Sequence, residues 1–378
     1  MDGTGVMSES VFRSSTQKKK QVQWMANRIF ITGGAGFIGS RLAEKLASQG
    51  HEIFVYDSLH SQIHGEIEGF EFQHENIEFV QGDICDKEFL CEQLNRFIPD
   101  IVYHMAAETG TGQSMYEICR YTNVNVQGTS NLLEAITQAG TVRKIVLPSS
   151  RSVYGEGAYE YSDGRYAPGL PRCSERMRTG NFRVIDEEGN VLKPVNTRED
   201  LPVAPVSIYA STKLMQEYLC TQAKQDQDWD AVILRFQNVY GPGQSLLNPY
   251  TGVLSIFSTH ILKGNSLNIF EDGEIYRDFV FVDDVVNALV CCIDSEIPHG
   301  EIINIGSGES NSILEIAKFL NQSYDKPQDN LYISGDFREG DIRYACADIS
   351  KAEALLGWKP EKTIQQGLTE FVDWAKSA

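Results

Sequence analysis

The stretch SIYASTKL at 207–214 sets Tyr209 and Lys213 four residues apart. On a helix two such residues share a face, so a phenol and an ammonium reach toward the same spot. A free phenol titrates near 10, and service as a base at neutral pH requires a shift of roughly 3 units, about 4 kcal/mol. Nearby positive charge favours phenolate and can supply that shift. A second candidate is PSSRSVYGE at 148–156, where Ser149 and Ser150 follow the apolar run IVL at 145–147. By themselves the two hydroxyls could merely cap a turn. At the carboxyl end of a buried strand, however, they stand where open parallel sheets bind ligands.

The elements that would position these groups begin at RIFIT, 28–32. This β-rich run is followed by GGAGFIG, by the helical pattern SRLAEKLASQG, and by HEIFVYD ending in Asp57. Gly33 permits a tight turn off the strand, Gly36 lets a pyrophosphate approach the backbone at a helix N-terminus, and Gly39 lets helix and sheet pack closely. Asp57 is placed to accept hydrogen bonds from an adenosine ribose, and its carboxylate repels a 2'-phosphate. No arginine follows directly in SLHSQIH, so the cofactor expected is NAD rather than NADP. Its cationic nicotinamide ring is the second positive charge that Tyr209 needs beside Lys213.

IEFVQGD, IVYHMAA, KIVLPSS and AVILRF read as further continuous apolar strands with helical segments between them. Strands of that kind belong to a parallel sheet covered on both faces. The fold expected is α/β, a Rossmann-type doubly wound parallel sheet. Asp83, ending the third strand, is placed to bond the adenine amino group. A histidine satisfied by backbone is the reading of His104, and structural packing that of Tyr154.

The 33 basic and 52 acidic residues give a net charge of -19, which repels nucleic acid and anionic membranes, so an anionic ligand needs local arginines. No apolar run approaches the ~20 residues of a membrane span. The eight cysteines show no CxxC spacing, which points to free thiols in a reducing compartment, with no metal site; a cytoplasmic location follows. Residues 1–25 lack a secretory apolar core and read as a disordered leader.

Together the glycine turn, Asp57, Ser150 and Tyr209-x-x-x-Lys213 resemble the extended short-chain dehydrogenase/reductase family, from Arg28 almost to the C-terminus. LRFQNVYGPGQ, YRDFVFVDDVV and REGD resemble its nucleotide-sugar epimerase/dehydratase branch. The resemblance implies Ser150, Tyr209 and Lys213 as catalytic residues. It also implies a cofactor site of Gly33, Gly36, Phe37, Ile38, Gly39, Asp57, Ser58, Asp83, Ile84 and Ala106 together with Tyr209 and Lys213. The nucleotide-diphosphate sugar would meet Glu108, Thr109, Ser150, Asn238, Arg277, Arg338 and Asp341, and Arg343 stands open between phosphate contact and salt bridge. A homodimer is implied as well.

Within that branch, hydride leaves a sugar carbon for NAD while the tyrosine takes the hydroxyl proton. Dehydratases follow the catalytic Ser/Thr with Asp-Glu, whereas this chain has Arg151 and Ser152, and elimination has neither acid nor base there. No cysteine lies between Cys119 and Cys173 to serve 3,5-epimerisation. The outcome left is 4-epimerisation through a transient 4-keto sugar. HMAAETGTGQSMYEICRY, SSRSVYGEGAYE and NVYGPGQSLLNPYTGVLSIFSTHIL are most similar to the dTDP-L-rhamnose 4-epimerase group. The rivals are a UDP-hexose 4-epimerase, a 4,6-dehydratase, a net dehydrogenase or reductase, and a dinucleotide-binding sensor without chemistry. Glu108 and Thr109, where UDP-galactose 4-epimerases have a lysine, count against the first.

The organisation expected is a Rossmann domain over 26–237, to which 276–300 returns, and a smaller discontinuous α/β substrate-binding domain over 238–275 and 301–378. The insertion 156–208 leaves beside Ser150 and returns just before Tyr209, which favours a lid or substrate-specificity element over a dimer-contact or ornamental loop. FRVIDEEGNVLKP within it reads as a hairpin turning at Glu188, Gly189 and Asn190.

Overall fold

The computed structural model describes residues 26–67, 69–224, 227–246, 248 and 252–378. The leader 1–25 lies outside them. The five strands β1 (Arg28–Thr32), β2 (Glu52–Asp57), β3 (Ile77–Gln81), β4 (Ile101–His104) and β5 (Lys144–Ser150) join Asp230–Phe236 and Glu301–Ile305 in one parallel sheet. From one edge its order is Glu301–Ile305, Asp230–Phe236, β5, β4, β1, β2, β3.

Alternation in β1 shows why these runs carry no polar face. Ile29 and Ile31 pack with Leu42 and Leu46 of the helix Phe37–Ser48, while Phe30 packs with Leu90 and Leu94 of the helix Lys87–Phe97. All seven residues are fully buried, so each strand needs apolar side chains on both sides. Strand order reverses between β1 and β4, which opens a crevice at their carboxyl ends. Thr32 and His104 pair there at the ends of the two strands.

A second unit gathers around Tyr276–Phe281, which pairs in parallel with Asn238–Tyr240 and Tyr344–Ala345 and antiparallel with Ser310–Ser312. The helices Val253–Leu262, Ile313–Ser323 and Ile364–Ala375 cover its core. Two strands lie in the unit opposite to the one expected. Tyr276–Phe281 belongs to the small sheet, whereas Glu301–Ile305 completes the large one beside Asp230–Phe236. Both are short apolar runs, and hydropathy alone does not say which sheet takes them.

The insertion is a folded element. Its strands Ala158–Glu160, Tyr166–Pro168 and Lys193–Pro194 form a small antiparallel sheet. Its hairpin closes as Ile185 bridges Val191, with Asp186 Oδ1 accepting the amides of Glu188 and Asn190. Tyr159 and Tyr344 pack edge to face, and Thr197 bridges Ala347, so the insertion is fastened to the last strand of the small unit. The Glu156 carboxylate accepts the amides of Arg343 and Tyr344 and the phenol of Tyr159.

Candidate active site

At the end of β1, Gly33 adopts φ +68°, and a Cβ there would lie 2.5 Å from the amide nitrogen of Ala106 beyond β4. At Gly39 a Cβ would lie 2.4 Å from the carbonyl oxygen of Gly33, so strand and helix touch through backbone. Gly36 is the N-cap of Phe37–Ser48 and offers no side-chain cap, which leaves the helix's first turn for a phosphate to cap. Asp57 Oδ2 accepts the Ala35 amide at 3.0 Å and Oδ1 the Leu59 amide at 2.9 Å, holding the carboxylate at the end of β2 beside the glycine turn. Ser58 follows it. Asp83 Oδ1 accepts the Cys85 amide and thereby fixes the turn that carries Ile84. These residues form one continuous cradle whose shape, backbone amides and acid fit a dinucleotide.

The two serines at the end of β5 point to opposite faces and do different things. Ser149 is buried and donates to Glu217 Oε1. Ser150 accepts the Ser152 amide at 3.2 Å and shares a hydrogen bond with the Tyr209 phenol. Tyr209 stands on the helix Ile208–Gln222, whose N-cap Ser207 accepts the Ala210 amide. Burial pushes the Tyr209 phenol above 10, while the Ser150 hydrogen bond and the Arg151 charge act in the opposite direction. Lys213, one turn further on, is buried; burial pulls its ammonium down to about 8, and the carboxylate of Glu217 opposes that shift. Arg151 adds to the positive charge around the phenol, and the four-residue spacing does not reveal it.

Glu217 is the hub behind these groups. Arg235 grips it with Nε at 3.0 Å and Nη2 at 2.7 Å, and both side chains are about 97% buried. The Arg235 guanidinium lies 4.6 Å over the Tyr154 ring, and the Tyr154 hydroxyl donates to Asn304 Oδ1 at 2.8 Å. Tyr154 is therefore packing. Glu217 escapes a motif search, although its position four residues after Lys213 puts it on the same helix face.

His104 bonds the hydroxyls of Thr32 and Thr129 at 2.8 Å each, so side chains rather than backbone satisfy it. Burial, aided by the Lys213 charge, holds its pKa down to about 3 against 6.5, and the ring stays neutral. The unfolded chain takes up that proton as pH falls below 6.5 and the folded chain does not until about 3, so folding loses about 1.4 kcal/mol per pH unit across that window. His104→Gln is expected to flatten the fall of Tm between pH 6 and pH 4, measured by thermal unfolding; an unchanged slope contradicts this account.

On the substrate side, Arg277 donates to the carbonyls of Tyr276 and Ile342 at 2.8 and 2.9 Å and has no carboxylate partner among the described residues. Burial lowers its pKa, with Asp341 opposing. Asn238 opens its strand with a buried Oδ1 that lacks a protein partner. Arg338 is exposed and lies 5.0 Å over Phe270, and Asp341 closes the same turn through its amide to the Arg338 carbonyl. Arg343 belongs to an ion-pair network with Glu271, Asp272 and Glu274. Glu108 departs from its expected place: both oxygens are taken by Arg120, at 2.8 and 2.7 Å. Thr109 offers its carbonyl to the Tyr121 hydroxyl. Arg172, from the insertion, pairs with buried Glu271 at 2.7 Å and donates to the Asp341 carbonyl at 2.6 Å, a tie that no local pattern announces.

Comparison with known proteins agrees with this geometry. Residues 30–163 match the family model described as GDP-mannose 4,6 dehydratase, and residues 187–306 that of the NAD dependent epimerase/dehydratase family. The chain is 39% identical to a dTDP-L-rhamnose 4-epimerase of Burkholderia thailandensis over 92% of its own length and 94% of the relative's. It is 32% identical to a UDP-glucose 4-epimerase of Mycolicibacterium smegmatis, covering 93% and 99%. Among solved structures, the UDP-glucose 4-epimerase of Thermotoga maritima with UDP-glucose superposes with a TM-score of 0.74 at 29% identity, covering 92% of this chain and 98% of that one. The Thermus thermophilus UDP-glucose 4-epimerase complex with NAD gives 0.74 at 28% identity, covering 93% and 99%.

Proposed function

The chain belongs to the NAD-dependent epimerase/dehydratase family of extended short-chain dehydrogenases/reductases, and from that premise we propose that it is a nucleotide-sugar 4-epimerase acting on dTDP-L-rhamnose and its C4 epimer, dTDP-6-deoxy-L-talose. The observation that carries the reaction type is the pairing of the Ser150 hydroxyl with the Tyr209 phenol, followed by Arg151 and Ser152 and not by an acid pair. Tyr209 takes the proton of the C4 hydroxyl, and Ser150 shares it. Bound NAD would supply the hydride acceptor for C4 and the donor for the return. Lys213 supplies a cation beside that site, and the glycine cradle and Asp57 hold the dinucleotide. Without a carboxylate after Ser150, nothing removes the C5 proton, so the 4-keto sugar has hydride return as its outlet. Asn238, Arg277, Arg338 and Asp341 hold the nucleotide diphosphate; Glu108, committed to Arg120, is left out of that set. The similarity to the Burkholderia enzyme favours the dTDP-deoxysugar over a UDP-hexose.

Exposed Met115, Ile118, Met215 and Tyr218 support a homodimer, because the helix Ile118–Tyr121 packs beside Ile208–Gln222 and the four side chains lie on these neighbouring segments. The eight unpaired cysteines support a cytoplasmic setting, and among the described residues no helix is long and apolar enough to cross a membrane. The test is incubation with dTDP-, UDP- and GDP-sugars, following C4 stereochemistry by NMR and absorbance at 340 nm. An epimer formed from dTDP-L-rhamnose without NADH accumulation is expected. Stoichiometric NADH, or loss of water to a 4-keto-6-deoxy product, overturns the proposal.

A further inference from the structure

Arg151 is a half-buried cation that follows the catalytic serine directly. It opens the 3-10 turn Arg151–Tyr154 immediately after Ser150 and is only partly accessible. Among the described residues its guanidinium makes no hydrogen bond and no ion pair. Four other arginines around the site are engaged: Arg172 with Glu271 and the Asp341 carbonyl, Arg235 with Glu217, Arg277 with two carbonyls, and Arg343 with three carboxylates, while exposed Arg338 lies over the Phe270 ring. Burial, and next the charge of Arg277, push Arg151 down to about 9, with Glu156 and Asp341 opposing. Tyr209 is also within its electrostatic reach. Its neighbours therefore run from the catalytic phenol to the Arg277 and Asp341 end of the cleft.

Its N–H donors keep some access to water but meet no acceptor among the described residues, so they are open to an incoming anion. A second cation nearby favours that anion further. Arg277 and Arg151 together make a positive wall with one end at the group that exchanges the proton. An oxyanion carried by the ligand neutralises the wall and fixes the distance from its own charge to the reacting carbon.

We propose that Arg151 is a substrate-binding residue whose guanidinium forks an oxyanion of the nucleotide sugar and so sets the sugar ring against Ser150 and Tyr209. This rests on the nucleotide-sugar reading above and assigns the residue following Ser150 a positive role. The oxyanion that the proposed substrate offers is its diphosphate, and the β-phosphate is the part nearer the sugar.

The experiment compares wild type with Arg151→Gln and Arg151→Lys by titration calorimetry of dTDP, dTMP, dTDP-L-rhamnose and UDP-glucuronate, with NAD affinity and Tm as controls. A contact with the β-phosphate weakens dTDP and dTDP-L-rhamnose by about 10- to 100-fold in Arg151→Gln, leaves dTMP within a few fold, and is only partly restored by Arg151→Lys. Weakening of UDP-glucuronate with dTDP spared would place the contact on a sugar carboxylate, which dTDP-L-rhamnose lacks, and overturns the proposal. In the absence of ligand the Tm of Arg151→Gln is expected to stay close to that of wild type, since the guanidinium holds nothing among the described residues, whereas a purely structural residue lowers it. Unchanged affinity for all four ligands overturns the proposal, as does a variant whose Tm and NAD affinity both collapse. Failure of the wild type to bind any nucleoside diphosphate overturns instead the functional reading on which it rests.

Discussion

Tyr209→Phe is expected to lower turnover by about 10²- to 10⁴-fold while leaving NAD affinity and Tm close to wild type. The substitution deletes one oxygen. It keeps the half-buried ring, which packs edge to face with Tyr121 at 6.5 Å between centroids, so the helix Ile208–Gln222 has no reason to move. What is lost is the acceptor for the C4 hydroxyl proton, and Ser150 alone cannot replace it because a serine hydroxyl is a far weaker acid than a phenol. Ser150→Ala is the companion variant. The Ser150 hydrogen bond draws the buried phenol downward, so its removal raises the phenol's pKa. The reacting form is the phenolate, and the acid limb of kcat/KM accordingly moves to higher pH. The paired measurements are kcat with dTDP-L-rhamnose at saturating NAD and the pH profile from 6 to 10. A Tyr209→Phe enzyme with ordinary turnover removes the phenol from the mechanism.

Much of this site could be read from the chain because it is built from local spacing. The glycine turn, Asp57 and the Tyr209–Lys213 interval each lie within one strand–helix or helix unit, where a fixed rise and period convert sequence separation into direction. The same logic located Ser150 at a strand end. Its limits show at Ser149 and Glu217, 68 residues apart, whose hydrogen bond exists because β5 and the helix Ile208–Gln222 pack together. No period encodes such a meeting. Glu108 meets the same limit: the family resemblance offered it as a ligand contact, and no local pattern announced that Arg120, brought round by a turn of helix, pairs with its carboxylate. The exchange of Tyr276–Phe281 and Glu301–Ile305 between sheets has a similar cause, since strand partners are chosen by the whole topology.

The buried pair behind the site leads to the largest stability effect. Glu217→Ala is expected to cost about 3–5 kcal/mol, because it strands Arg235 as an uncompensated charge in a place that water barely reaches. Arg235 Nη1 already lacks a hydrogen-bond partner, so the guanidinium has little reserve when its two remaining bonds go. Ser149 loses its acceptor at the same time. Removing both charges as Glu217→Leu with Arg235→Met should recover most of the loss, since a well-packed apolar pair carries no desolvation penalty. Stability and catalysis then separate. Glu217 is the carboxylate that supports the Lys213 ammonium against burial, so in the double variant Lys213 falls below about 8 and discharges earlier as pH rises. The alkaline limb of kcat should move to lower pH even though urea unfolding shows a repaired fold. A single variant as stable as wild type would remove the ion pair from the list of what holds the sheet to the helix, and a double variant with an unshifted alkaline limb would detach Glu217 from Lys213.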